Sequence, residues 1–311
     1  MIKSAPAVSL APKTVMVTTL ISVVYLLLSV WLVGFKTDQL VLMAIFNGLY
    51  YASGTTRKFI TGFSIFIVYW IIFDYMKAFP NYTFRDVHIE QLYQAEKHLF
   101  GISTATGVVT PNEYFRQHHA TTGDLLSGIF YLCWVPVPLL FASYLFFRNR
   151  PLFLRFALAF FVVNMIGFVV YYIYPAAPPW YVQEHQFNFI ANTPGNTAGL
   201  KRFDELVGVP VFQSLYAKGS NVFAAMPSLH SSYPVIVLYY GIKGRFRYAP
   251  VIFAMIMAGI WCSAVYTSHH YVLDVLAGIC CAGTGITLVE RGVSRPGWFA
   301  RFFDSYLTKI I

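Results

Sequence analysis

A chain of 311 residues that is 57% hydrophobic and only 11% charged lies far from a soluble domain, in which about 25% of residues carry charge. These values predict one all-α integral membrane domain over 1–311 and exclude a water-soluble core. The formal charge of +9 would suit nucleic acid only if the bases formed one patch, and they alternate along the chain instead.

Lys3 and Lys13 precede the first apolar run, and no small-residue cleavage site follows it, so that run reads as a retained helix and not a signal peptide. A helix needs roughly 20 apolar residues to cross the hydrocarbon layer. The runs at 15–35, 38–53, 59–79, 124–147, 152–174, 226–243, 249–267 and 270–290 predict about eight spans. The second is short and also fits a re-entrant segment. An aromatic content of 18% suits lipid-facing surfaces and interfacial belts.

Two long segments join the spans without crossing. The first, 80–123, contains Leu92–Gly101, whose apolar spacing predicts an interfacial amphipathic helix ended by glycine. Thr110-Pro111-Asn112-Glu113 then reads as a helix start, with Thr as cap, Pro in the first turn and Glu three residues on. The second, 175–225, is rich in Pro, Gly and Asn, and loops of this length usually carry function. Cys133, Cys262, Cys280 and Cys281 have neither zinc-ligand nor disulfide-framework spacing, and are expected to be apolar packing residues.

Eight spans put both termini on one side. With that side cytoplasmic, 14 of the 22 basic residues face inward, in clusters such as Arg57-Lys58, Lys243/Arg245/Arg247 and Arg291/Arg295/Arg301. Only Glu290 and Asp304 among the acids join them. This is the positive-inside pattern, and it accounts for the net charge without a polyanionic partner. Both long segments then face the outer side.

Histidines stand at the outer ends of two of the last three spans. His230 opens 226–243 and His270 opens 270–290, so one descending and one returning helix bring both imidazoles to the same membrane face. Asp274 lies four residues after His270 on the expected helix and so shares its face, while His269 points about 100° away. A carboxylate on one ring nitrogen fixes the tautomer and leaves the other nitrogen free to attack or to accept a proton. Ionisable groups at membrane depth are functional-site hypotheses by default. Two histidines and a carboxylate can divide phosphoryl transfer, one imidazole attacking phosphorus and the other protonating the departing oxygen. The same trio also fits a zinc site, though no helical His-x-x-x-His pair supports it. His88, His98, His118, His119 and His185 are expected to be solvated interfacial residues.

The residues resemble the type 2 phosphatidic-acid phosphatase superfamily. Its P-S-x-H element is matched by Pro227, Ser228, Leu229 and His230, and its S-R-x5-H-x3-D element by Ser263, His270 and Asp274. The Arg of the second element is Ala264 here, and no K-x6-R-P element precedes the loop, which argues against a plain phosphomonoesterase. Pro175-Ala176-Ala177-Pro178-Pro179-Trp180-Tyr181, Gly199-Leu200-Lys201-Arg202-Phe203-Asp204, Met226–Ser231 and Thr267–Asp274 occur in an order similar to that of the inositol phosphorylceramide synthases, whose fungal member is the aureobasidin-resistance protein.

That resemblance implies a bundle with a phosphatase-like catalytic core at 124–290, preceded by N-terminal helices and an interfacial segment at 15–123 and followed by a cytoplasmic tail at 291–311. It implies transfer of phosphoinositol from phosphatidylinositol to ceramide through a phosphohistidine. His270 would attack, Asp274 would support it, and His230 would protonate the diacylglycerol oxygen and then act as base. An inositol-bearing intermediate carries one negative charge on the phosphoryl group, against two in a phosphatase, which fits Ala264. Arg202 is the first expected phosphate contact, Lys201 the second, and Ser228 a further donor near a helix N-terminus. The Pro-Pro-Trp segment is expected to stiffen the rim and anchor it at the interface. No metal, nucleotide or other cofactor is required. A hydrolase, a transferase using an ethanolamine or glycerol head group, and a lipid-binding protein are the alternatives. The compact length leans toward a bacterial inner membrane with a periplasmic site; a eukaryotic version would face the Golgi lumen.

Overall fold

The computed structural model describes residues 12–217 and 221–311; Lys3, assigned above to the inner side, lies outside them. Three helices open the chain: α1 (Pro12–Val33), α2 (Thr37–Ala52) and α3 (Gly54–Tyr75). A smaller outer layer follows, with α4 (Glu90–Phe100), a hairpin of β1 (Ile102–Thr104) and β2 (Gly107–Val109), and α5 (Pro111–Gln117). Then come α6 (Thr121–Leu132), α7 (Pro136–Arg148) and α8 (Arg150–Ile173). Short helices α9 (Pro179–His185), α10 (Lys201–Val207) and α11 (Val211–Tyr216) occupy the second long segment. The chain closes with α12 (Leu229–Lys243), α13 (Ala249–Tyr266), α14 (Val272–Ser294) and α15 (Trp298–Ile310).

Among the described residues, six stretches are long and apolar enough to cross a membrane: Pro12–Val33, Gly54–Ala78, Thr121–Arg148, Arg150–Ile173, Ala249–Tyr266 and Val272–Ser294. The other two expected spans form helices of 16 and 15 residues, α2 and α12, short of the roughly 20 a full crossing needs. α12 begins at Leu229, three residues later than expected, because Ser228 caps it: its Oγ accepts from the Ser231 N–H at 3.3 Å. The expected helix at 124–147 breaks between α6 and α7. Pro136 and Pro138 at the start of α7 lack the N–H groups that would continue the ladder of α6.

Polarity is inverted where a bilayer would be. In α1 the buried side chains are Thr18, Ser22 and Ser29, while Met16, Leu20, Leu27 and Trp31 face outward. Thr18 meets the Tyr51 hydroxyl, Asn47 donates to Ser22 at 2.9 Å, and Ser29 meets the Tyr75 hydroxyl at 2.9 Å. Lipid tails are as apolar as Leu, so helices associate there through packing and interhelical hydrogen bonds.

α8 is the most enclosed of these stretches, and α12 and α14 pack on it. Two glycines seven residues apart set the spacing of α14: a Cβ on Gly278 would lie 2.2 Å from the Ser228 carbonyl oxygen, and one on Gly285 would lie 2.4 Å from Val163 Cγ2. At the basic end of these helices Glu290 ties all three together. It accepts from Arg155 Nη1 at 2.8 Å and Tyr240 OH at 2.9 Å, and it pairs with Lys243. α15 lies nearby, burying Phe303 and Ile310 and exposing Trp298 and Phe302.

The outer layer follows its sequence signals. α4 stops at Phe100 and Gly101 follows. Thr110 caps α5, its N–H donating to Glu113 Oε2 at 2.8 Å while its Oγ accepts from the Glu113 N–H at 3.3 Å.

Candidate active site

The site forms where α12, the α13–α14 link and α6 converge. Ser228 fixes where α12 starts, so His230 is its second residue. The link, 267–271, turns sharply through Ser268, whose φ is +61°. Both the His269 and His270 N–H groups donate to the Ala264 carbonyl, at 3.1 and 3.0 Å. Asp274 then starts α14, its Oδ2 accepting from the Tyr271 N–H at 2.8 Å. His270 therefore precedes α14 rather than lying on it. The expected shared helical face is corrected: the link and the Asp274 cap set the relation of His270 to Asp274, at 3.5 Å from Nδ1 to Oδ2. The Ser228 N–H donates to the Asp274 carbonyl at 2.9 Å, which locks the start of α12 to that of α14.

His230 and His270 meet. His270 Nε2 is 3.3 Å from His230 Nδ1, with ring centroids 5.5 Å apart and planes at 69°. The same His230 nitrogen lies 2.8 Å from the Tyr131 hydroxyl, and Trp134 covers that ring at 4.3 Å. Asp274 is fully buried. The rings touch directly and do not flank a gap.

His269 is buried between Tyr131 and Tyr216, at centroid distances of 5.5 and 4.7 Å, and its Nε2 lies 3.0 Å from the Thr197 carbonyl. It turns away from the pair because the link, and not a helix, sets its direction, and it helps hold the loop before α10 against the link. The Gly199 N–H donates to the Thr267 carbonyl at 2.9 Å in the same layer.

Arg202 lies on this layer. Its Nε donates to Asp124 Oδ1 at 2.6 Å and its guanidinium sits 5.6 Å from the Tyr266 ring centroid. Its Nη2 is buried without a hydrogen-bond partner among the described residues. Lys201 departs from expectation: it points to solvent and pairs with Glu205 at 3.6 Å, because successive helical residues face different directions. Ser228 departs too. Its Oγ is engaged by the Ser231 N–H and, at 3.0 Å, by Ser231 Oγ, and the residue is fully buried.

Several supports carry no obvious signal in the sequence. Asn112 Nδ2 donates to the Val265 and His270 carbonyls at 2.8 and 2.9 Å. Glu96 accepts the first two N–H groups of α14, Val272 at 2.9 Å and Leu273 at 3.1 Å. Burial lifts the Glu96 carboxyl from its ordinary 4.5 to about 7. Tyr131 is an aromatic residue inside an apolar run, where nothing marks it as a partner of His230.

The Pro-Pro-Trp segment stiffens the rim through its backbone, with the Trp180 N–H donating to the Ser268 carbonyl at 3.0 Å. The Trp180 ring is buried beside Ile89, Tyr181 and Phe223 and is no interfacial anchor, since the outer layer covers it. His98, His118 and His119 are exposed as expected, whereas His88 is half-buried and stacks on Tyr174 at 3.8 Å. Among the described residues, no group of three or more His, Cys, Asp or Glu side chains is placed to hold a metal ion.

This is a helical membrane protein with paired imidazoles between a capped helix and a buried carboxylate, and its residues 101–288 match the PAP2 superfamily, to which the chain belongs. A phosphoinositol dihydroceramide synthase of Bacteroides thetaiotaomicron is 46% identical over 296 residues, covering 94% of this chain and 97% of that protein. The inositol phosphorylceramide synthase of Candida albicans is 29% identical over 58% of this chain and 40% of its own length. The catalytic subunit of the Saccharomyces cerevisiae enzyme is 30% identical over 37% of this chain and 29% of its own. Within the superfamily, the chain belongs to the inositol phosphorylceramide synthase family of membrane transferases. No solved structure matches it.

Proposed function

We propose that this protein transfers phosphoinositol from phosphatidylinositol to the primary hydroxyl of ceramide or dihydroceramide, releasing diacylglycerol, with the chemistry in 124–290. The reading is carried by the direct approach of His270 Nε2 to His230 Nδ1, with Asp274 behind His270. With the Nδ1 proton directed at Asp274, His270 Nε2 holds a lone pair toward the site. It attacks phosphorus, forming a P–N bond as the bond to the diacylglycerol oxygen breaks, and His230 gives that oxygen its proton. In the second half His230 takes the proton of the acceptor hydroxyl, whose oxygen attacks phosphorus and breaks the P–N bond.

The touching rings must part for this. An attack distance of about 3–3.5 Å and a hydrogen bond of about 2.6–3.2 Å to the leaving oxygen require the two nitrogens to separate by roughly 3 Å more. We assign that shift to side-chain rotation of His230 away from His270. Arg202 Nη2, buried and unpartnered, is the group we assign to a phosphoryl oxygen; Lys201 and Ser228 keep their surface pair and their cap. The basic inner cluster around Glu290 lies at the opposite end of α12 and α14, which supports a site facing the periplasm, or the lumen in a eukaryotic setting, with 291–311 cytoplasmic.

The test is product analysis with purified protein, phosphatidylinositol and ceramide. Inositol phosphoceramide and diacylglycerol are expected in equal amounts, with radiolabel from the inositol phosphate retained on wild-type protein and lost in His270→Ala when acceptor is withheld. Free inositol phosphate without phosphoceramide would establish a hydrolase instead.

A further inference from the structure

Arg202 is held from two sides. Asp124 and Gly128 of α6 stand four residues apart and share one helical face, and that face receives two neighbours from α10. Gly128 receives Phe203: a Cβ on this glycine would lie 2.0 Å from the ring's Cδ2. Asp124 receives Arg202, its Oδ1 accepting from Nε at 2.6 Å. A second glycine sets the far side of the guanidinium. A Cβ on Gly199 would lie 3.0 Å from Arg202 Nη2 and 2.8 Å from Thr267 Cα. The nitrogen that has no partner among the described residues thus lies close to Thr267, the first residue of the link that carries His270.

The same contacts decide how much charge the site offers. The Asp124 side chain is only 5% exposed and that of Arg202 23%, so water screens neither fully. As a unit the pair is close to neutral. An oxygen accepting from Nη2 gains a charge-assisted hydrogen bond, yet it also feels the carboxylate on the other side of the guanidinium. His119 Nδ1 lies 3.4 Å from Asp124 Oδ2, but its side chain is 43% exposed and stands in solvent. Ala264, whose carbonyl anchors the link, brings no cation to it.

We propose that Asp124 is a specificity-determining residue, which positions Arg202 and offsets its charge so that the site takes a phosphodiester in preference to a phosphomonoester. The inference rests on the function proposed above, in which Arg202 meets a phosphoryl oxygen. A phosphodiester donor carries one negative charge on that group, as does the inositol phosphate held on His270. A monoester on the same diacylglycerol carries two, and the second is repelled by Asp124 without a further cation to balance it. Discrimination of this kind comes from an element that repels the wrong ligand as much as from one that attracts the right one.

Asp124→Asn keeps an oxygen that can accept from Arg202 Nε and removes the charge. His119→Lys keeps the carboxylate and sets a fixed cation beside it, on the exposed side. The probes are phosphatidate and phosphatidylmethanol in detergent micelles. They share the diacylglycerol and differ by one methyl group and, at pH 8, by one charge, since a phosphomonoester's second pKa is about 6. Inhibition constants come from the transfer assay, and the rise in melting temperature with each lipid reports binding without turnover. Wild-type protein should bind phosphatidylmethanol more tightly. Asp124→Asn should tighten phosphatidate about tenfold, the effect of one unit charge roughly 10 Å away at an effective dielectric of about 20, and phosphatidylmethanol far less. His119→Lys should act in the same direction by a smaller factor, which keeps the test alive if Asp124→Asn does not fold. A purely structural Asp124 would loosen Arg202 and weaken both lipids alike. That result, or a wild-type preference for phosphatidate, would overturn the proposal. Wild-type protein that made no inositol phosphoceramide, while its two lipid affinities shifted as stated, would defeat the underlying function and leave the charge selection standing.

Discussion

His230 and His270 are chemically alike but stand in different surroundings, and the division of tasks proposed above rests on that difference. Asp274 lies behind His270, so in the proposed attack the positive charge developing on that ring would have a carboxylate beside it. His230 has a phenol and an indole instead, which orient its ring for the proton it would give and later take back. Asp274→Asn should therefore leave the fold intact and lower kcat by up to about 10⁴, the loss seen when the Asp of a Ser-His-Asp triad becomes Asn; single-turnover release of diacylglycerol would show the slowed first half. Tyr131→Phe keeps the ring that packs on His269 and Phe212 and deletes only the hydroxyl beside His230. A neutral hydrogen bond contributes about 0.5–1.5 kcal/mol, so kcat should fall by roughly tenfold or less with KM unchanged. A rise in KM alone would mean that the hydroxyl serves lipid binding and not the imidazole.

At the scale of elements, the reactive link is held by carboxylates and an amide from the outer layer and from α14 itself. The positive end of α14 is capped twice, by Asp274 from within and by Glu96 from α4. Burial raises Glu96 to about 7 from its ordinary 4.5, outweighing the two N–H groups that favour its charged form. The folded protein thus binds this proton more tightly than the unfolded chain. Its contribution to stability is complete below about 4.5 and is lost as pH rises through about 7. Thermal unfolding in detergent should show a lower melting temperature at pH 8 than at pH 5, and Glu96→Gln should flatten that slope. The helices around this site were legible in their apolar runs, and the cap of α5 in Thr110; the cap of α12 was not, since Ser228 was expected to lie within the span and to serve the substrate. The i, i+4 relation of His270 and Asp274 was legible as proximity, though the helix starts after His270. Glu96, Asn112 and Tyr131 were not legible, because each acts on a partner more than 90 residues away, and local spacing carries no trace of such contacts.

Across the whole molecule, the two ends of the α8–α12–α14 bundle carry different burdens. One end holds the imidazoles, and the opposite end holds Glu290 with Arg155, Lys243 and Tyr240. Along the 15 residues of α12, about 22 Å of helix at 1.5 Å per residue separate them. Glu290→Ala would leave two cations without their carboxylate at the point where three helices are joined. Loss of one partner from a fully buried pair costs about 3–5 kcal/mol; here the side chains of Arg155 and Lys243 are 23% and 35% exposed, and water recovers part of that, so a loss of roughly 1–3 kcal/mol is expected. The melting temperature should fall, while kcat of the folded fraction at 20 °C stays near wild type because no group at the imidazole end changes partner. Activity per folded molecule and thermal unfolding, measured on the same preparation, separate the two effects. A matching fall in kcat would mean that the Glu290 clasp governs how far α12 and α14 let the imidazoles part, which would make the bundle itself, and not side-chain rotation at His230, the moving part of the reaction.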